Sequence, residues 1–169
     1  MEMIGLSEFQ LGIAIINLQG SDREKASKTA RLLSAYDISC VIVLDKNAQS
    51  TANDLEGERA AALKNIKKIF CLKKGNIEDY YPLEIVADVM NEEFSPQEKL
   101  KATEFDSNKH GDDRITDFVR VMIQHNIGQS KSYLKKSLGS IGTKMMRERK
   151  MDVDPELKEI FLEVKKIVE

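Results

Sequence analysis

The chain is poor in cysteine, histidine, proline and tryptophan. It holds two cysteines, two histidines, three prolines and no tryptophan among 169 residues. Cys40 and Cys71 each sit inside an apolar run with no histidine or cysteine cluster nearby, which excludes a zinc framework and a disulfide scaffold. No apolar run approaches the roughly 18 residues of a membrane-spanning helix. Residues 1–10 carry acid and no basic segment, unlike a signal peptide, so a reducing cytoplasm is the expected compartment. Charge of one sign is not in excess either. Twenty-eight acids against 26 bases leave a net charge of -2, so a polyanionic partner must be sought in local patches. No GxxxxGK[ST] phosphate loop occurs, which excludes an ATP site of that kind. No spacing of serine, histidine and acid points to a triad, and neither His110 nor His125 is assigned a catalytic role. Repeats and low-complexity tracts are absent.

Apolar residues make up 41% of the chain, enough to build a core rather than a disordered coil. The length suits one domain, or one domain with an appendage. The first half alternates strand and helix signals. Leu11–Leu18 and Cys40–Leu44 are apolar, β-branched runs of buried-strand length, and Ile69–Leu72 is a third. Ser21-Asp-Arg-Glu24 forms a capping box ahead of a helix running to about Tyr36. Thr51 or Asn53 caps the next helix, with Leu55, Ala62, Leu63 and Ile66 on its apolar side. Strands of this kind joined by helices predict a mostly parallel sheet covered on both faces.

The second half is helical in pattern. Helices are expected over Ile77–Phe94, from the Ser95-Pro-Gln-Glu98 start, and over 113–125, 130–147 and 154–168. Asp154 caps the last. The polar loop Asp106–Asp113 separates the earlier ones. The expected division is an α/β core over residues 1–94 and a helical C-terminal region over 95–169, packed on the core.

In a parallel α/β sheet, ligands gather beyond the carboxyl ends of the strands. Asp45 follows the second strand, and Lys73, Lys74 and Glu78 follow the third. Two carboxylates converging there can hold a hard divalent cation through oxygen. Asp45-Lys46-Asn47 spaces two oxygen ligands two residues apart. Helix capping or plain solvation are the alternatives for such acids. The Lys73–Lys74 pair suits a solvated turn or a phosphate contact. Tyr81 is expected to cover the sheet edge, Tyr80 to cover it or border a site, and Met145 and Met146 to pack.

The segment Val41-Ile-Val-Leu-Asp-Lys-Asn-Ala48 resembles the strand and DxD motif of TOPRIM domains. Leu72-Lys-Lys-Gly-Asn-Ile-Glu-Asp-Tyr-Tyr-Pro82 is similar to the TOPRIM region of OLD-family (overcoming lysogenization defect) ATP-dependent nucleases. Leu11–Gly20, Ile141–Met146 and Val153–Leu157 match that region in order and spacing. The resemblance runs from about residue 11 almost to the end. It implies a Rossmann-like, TOPRIM-type sheet with flanking helices, and a metal-dependent DNA endonuclease or nickase working with Mg²⁺ or Mn²⁺. Such sites clamp the attacking and leaving oxygens of a phosphodiester. Carried over, Asp45, Asn47 and Glu78 would bind metal, and Lys144 would stabilise transition-state charge. Asp45, Glu78 and Lys144 are thus the expected catalytic residues.

The chain departs from the family pattern at three points. The leading glutamate-bearing EGxxE strand is not found, Asn47 replaces the second Asp of DxD, and the ATPase half is missing. A truncated or partly degenerate endonuclease module is therefore expected. A TOPRIM-fold binding protein without catalysis, partnering a separate ATPase or itself, is the alternative. A flavodoxin-like phosphoreceiver, with Asp45 as acceptor and Lys73 as its cation, is the more distant one.

Residues 131–150 carry seven bases (Lys131, Lys135, Lys136, Lys144, Arg147, Arg149, Lys150) against one acid, Glu148. In a chain of slight negative charge, this basic tract is the expected DNA-backbone contact. A solvated helix face is the alternative.

Overall fold

Two parallel strands form the sheet of the computed structural model, which describes residues 23–128 and 131–168. The fold is α/β and mostly helical. The strand expected over Leu11–Leu18 and the Ser21 cap lie outside the described residues. The described chain forms two compact units. One runs up to Lys73 and resumes at Asp154; the other spans Lys74–Val153. A division at residue 94 falls at the end of a helix inside the second unit.

In the first unit, α1 (Arg23–Ala35) precedes β1 (Cys40–Leu44), and α2 (Gln49–Ala61) carries the chain to β2 (Ile66–Cys71). Val41 pairs with Lys68 and Leu44 with Cys71, after an irregularity between Cys40 and Val41. Alternation sends Ile42 and Leu44 into the core, where Ala26 and Ala30 of α1 and Ala52 and Leu55 of α2 meet them. The alanines leave room for the helices to approach the strands. Val43, on the opposite face of β1, is 46% exposed. The expectation that both faces of the strands are covered therefore fails at this residue. Glu58 of α2 ties the two helices, accepting from Arg23, Ser27 and Arg31.

The helix after β1 starts earlier than expected. A 3₁₀ turn over Lys46–Ala48 leads straight into α2, so neither Thr51 nor Asn53 caps it. The last helix of the chain, Pro155–Val168, also belongs to this unit, and Asp154 Oδ1 caps it by accepting the Glu156 N–H at 2.9 Å. Its Glu163 receives Lys68 of β2 and Lys166, which lower the carboxyl pKa to about 2.

The second unit is helical: α3 (Leu83–Phe94), α4 (Gly111–Gln124), α5 (Lys131–Ser137) and α6 (Thr143–Glu148). The last helix of the chain is therefore α7. Three expectations are corrected here. The helix expected over Ile77–Phe94 is broken: residues Ile77–Tyr80 form a 3₁₀ turn, and Pro82 holds Tyr81 in extended backbone before α3 begins. No helix starts at Ser95. That residue is the left-handed cap of α3, and Asn91 clamps both main-chain groups of Leu100, folding the segment back. The helix expected over 130–147 contains a π turn at Leu138–Gly142, where two glycines and Ser140 weaken α-helical propensity.

Phe118, Val86, Val89, Met90, Leu134 and Leu138 are fully buried in this unit, and Phe105 meets Phe118 edge-on at 5.4 Å. Met145 and Met146 pack inward, as expected. Among the described residues, no helix is long and apolar enough to cross a membrane.

Leu55 is wholly enclosed between α1, α2 and the strands. Leu55→Ala is expected to lower unfolding free energy by about 2–5 kcal/mol, read from the urea midpoint. A loss below about 1 kcal/mol would mean that the surroundings close over the cavity.

Candidate functional site

Each unit contributes residues singled out in the sequence. In the first, the Leu72 N–H donates to Leu44 O at 2.9 Å, extending the ladder one step past β2. Asp45 and Lys73 therefore lie at the same carboxyl edge of the strand pair. Asp45 is half-buried and starts the 3₁₀ turn through its carbonyl, which accepts the Ala48 N–H at 3.0 Å. Its side chain makes no cap bond to that turn. Asn47 is exposed. Glu156, at the start of α7, accepts the Lys73 N–H at 2.9 Å and adds a second carboxylate to this edge.

In the second unit the densest polar construction surrounds Asp79. Its carboxylate is fully buried. Oδ2 accepts the N–H groups of Asn76 at 2.7 Å and Gly111 at 2.9 Å. Oδ1 lies 3.1 Å from His110 Nδ1 and 3.9 Å from Arg114 Nε. Asn76 donates to Asp112 Oδ1 at 3.1 Å. The turn before Glu78 is thereby locked to the loop that opens α4. Gly75 is obligatory there, because a Cβ would strike Asp79 and come 2.8 Å from the Gly111 nitrogen. Gly111 has φ +59°, which glycine adopts without strain.

Glu78, next in sequence to that anchor, is buried, and its Oε1 pairs with Lys135 Nζ of α5 at 3.1 Å. Oε2 is buried and has no hydrogen-bond partner among the described residues. Tyr80 is buried, with Lys74 Nζ over its ring at 5.4 Å. Tyr81 bonds its hydroxyl to Thr143 Oγ1 at 3.1 Å and lays its ring against Gly142. Burial raises the Tyr81 pKa, and the Glu78 charge adds to that.

All seven bases of the 131–150 tract are exposed, while Leu134, Leu138, Met145 and Met146 turn inward. Lys135 pairs with Glu78, Lys144 lies 4.0 Å from Glu148, and Arg149 meets Asp88 at 2.6 Å. Lys131 donates to Thr116 at 3.4 Å. Lys136 and Lys150 have no acid partner among the described residues.

A hard cation needs several converging oxygens. The first unit supplies Asp45 and Asn47. The second supplies Glu78, one oxygen of which already holds Lys135. Among the described residues, no three or more His, Cys, Asp and Glu side chains are gathered to hold a metal ion. The described residues of either unit, taken alone, do not gather the oxygens that a Mg²⁺ or Mn²⁺ ion needs. The Glu78–Lys135 pairing was not readable in the sequence, since 57 positions separate the two residues. The spacing of Asn76-Ile-Glu-Asp79 as a capping box is the local signal that the sequence carries for Asp79.

No family model, curated protein or solved structure matches the chain.

Asp79→Ala strands two main-chain donors and is expected to cost about 3 kcal/mol of stability, read by urea unfolding. A loss under about 1 kcal/mol would show that water or a neighbouring group replaces the carboxylate. His125 Nε2 sits 2.6 Å from Glu104 Oε2. That hydrogen bond raises the His125 pKa and lowers that of Glu104. The imidazolium contribution is complete below about pH 6.5 and fades as pH rises through the raised value. The Glu104 contribution fades as pH falls through its lowered value. His125→Gln should flatten the loss of stability on the alkaline side; an unchanged profile would remove the pair as its source.

Proposed function

We propose that the chain is a TOPRIM-type α/β module of the OLD kind, cytoplasmic, that binds DNA through its basic helical face and whose cleavage centre is degenerate. The observation that carries this reading is the buried Glu78 carboxylate paired with Lys135. A carboxylate committed to an ammonium is a poor metal ligand, and the loss of charge at Asn47 acts in the same direction. The basic face supports the binding half of the reading. Its cations are exposed over an apolar, buried underside, which suits contact with a phosphate backbone. A separate ATPase or a second copy of the chain is the expected partner.

A second reading keeps the endonuclease activity. It is favoured by the position of Asp45 beside Lys73 at the carboxyl edge of parallel strands, where α/β sheets place ligands. On that reading Asp45 and Asn47 give oxygens to Mg²⁺ or Mn²⁺ at that edge, and Glu78 and Lys144 keep the roles the family resemblance implies for them.

Duplex binding and nicking of supercoiled plasmid by the full chain separate the two. Binding is expected to weaken steeply with salt and to survive Asp45→Ala. Lys136→Gln with Lys150→Gln should reduce the salt slope by about 1 for each lysine removed. No nicking is expected with either metal. Nicking that disappears in both Asp45→Ala and Glu78→Ala would establish the second reading instead. Absence of binding at low salt would sink both.

A further inference from the structure

Beside the basic face lies a cleft of about 540 Å³, lined by Phe94, Pro96, Gln97, His125, Asn126 and Tyr133 among others. We infer that this cleft receives an unstacked base of single-stranded nucleic acid whose backbone follows α5, an inference that rests on the DNA-binding reading above. Tyr133 connects the two features. It stands on α5 between Lys131 and Lys136, is 43% exposed, and forms part of the cleft wall. Lys136, three positions on, lies next to it on the helix surface. A strand whose phosphates lie along those lysines therefore passes its bases over the Tyr133 ring.

The cleft is built to hold that ring still. Its hydroxyl donates to Glu93 Oε1 at 2.6 Å, and its face is supported by Phe94, with centroids 5.8 Å apart at 45°. Phe94 ends α3, and the left-handed Ser95 after it turns the chain away and opens the cleft. On the far wall, Asn126 is also left-handed, and His125 is fixed between Glu104 and the Glu98 carbonyl. Little side-chain entropy is left to lose on binding.

The chemistry of the walls selects a base over a phosphate. Glu93 stands in the cleft and repels anions, whereas amide groups of Gln97 and Asn126 can meet the polar edge of a base. Bases in a duplex are stacked and beyond reach of such a cleft. Stacking on an aromatic ring is tolerant of sequence, because every base has a π face. The predicted ligand is thus a flexible single strand, read by charge and stacking rather than by sequence.

The test uses the full chain and fluorescence anisotropy with a labelled oligothymidylate, beside a duplex of equal length. The single strand should bind more tightly than the duplex. Tyr133→Leu should weaken the single strand by about tenfold and leave the duplex unchanged. Tyr133→Phe, which loses only the hydroxyl, should retain most of the single-strand affinity. Lys136→Gln should weaken both ligands and lower the salt slope. If Tyr133→Leu and Phe94→Leu bind both ligands as the parent does while Lys136→Gln still weakens them, the base cleft is overturned and the backbone-binding reading stands. Equal losses on both ligands in Tyr133→Leu, with a normal circular-dichroism spectrum, would also overturn it. Failure of both ligands to bind at low salt overturns both readings.

Discussion

The buried carboxylate of Asp79 is the constraint on which the second unit depends. A charge removed from water is costly unless several donors meet it. Here two main-chain N–H groups and the His110 ring do so, and all come from the turn before Glu78 or the loop before α4. Satisfying one carboxylate therefore fixes the relative position of two segments far apart in sequence. It also fixes the backbone from which Glu78 and Tyr81 project. Glu78 is then carried to α5 and Tyr81 to α6, on either side of the π turn. The close approach of Gly142 to the Tyr81 ring, where a Cβ would lie 3.1 Å away, gives that glycine its reason.

A different constraint governs the first unit. Its sheet has two strands among the described residues, and one face of β1 is packed by small side chains of α1 and the apolar side of α2. Parallel pairing brings both carboxyl ends to one edge, so the end of β1 and the start of the Lys73 turn become neighbours. Glu156 of α7 reaches the same edge by accepting the Lys73 N–H. This edge therefore gains a carboxylate from the last helix of the chain, a contribution that motif reading over residues 41–82 has no means of including.

What was legible in the sequence follows from the range of the interactions involved. Cys40–Leu44 was readable to the residue because a short β-branched run bounded by Asp45 carries its own signal. Asp154 and Pro155 marked the start of α7 for the same reason. Ser95-Pro-Gln-Glu98 carried an equally strong local signal and was overridden. Asn91 offers its side-chain amide to both Leu100 N–H and Leu100 C=O, and two such bonds outweigh a cap preference of about 1 kcal/mol. Glu78–Lys135, Tyr81–Thr143 and Phe94–Tyr133 are products of tertiary folding. Each partner is ordinary in its own segment, and no periodicity links them.

The charge of the basic tract takes a different meaning once its partners are known. Counted along the chain it is strongly positive, yet Lys135, Lys144 and Arg149 each face a carboxylate. The Lys144 and Arg149 pairs are exposed, and pairs of that kind are weak enough for phosphate to displace the acid. Lys135 differs, because its partner Glu78 is buried and would be left as an unpaired charge. Lys135 should therefore stay with Glu78 while its neighbours exchange partners. The same reasoning keeps Glu78 from serving as an open carboxylate: withdrawing Lys135 would take the cation from Oε1 beside an Oε2 that has no partner among the described residues. In this arrangement the ion pair supports the helix that presents Lys136 and Tyr133, so a residue that the family resemblance marks for chemistry is physically placed to hold up the basic face.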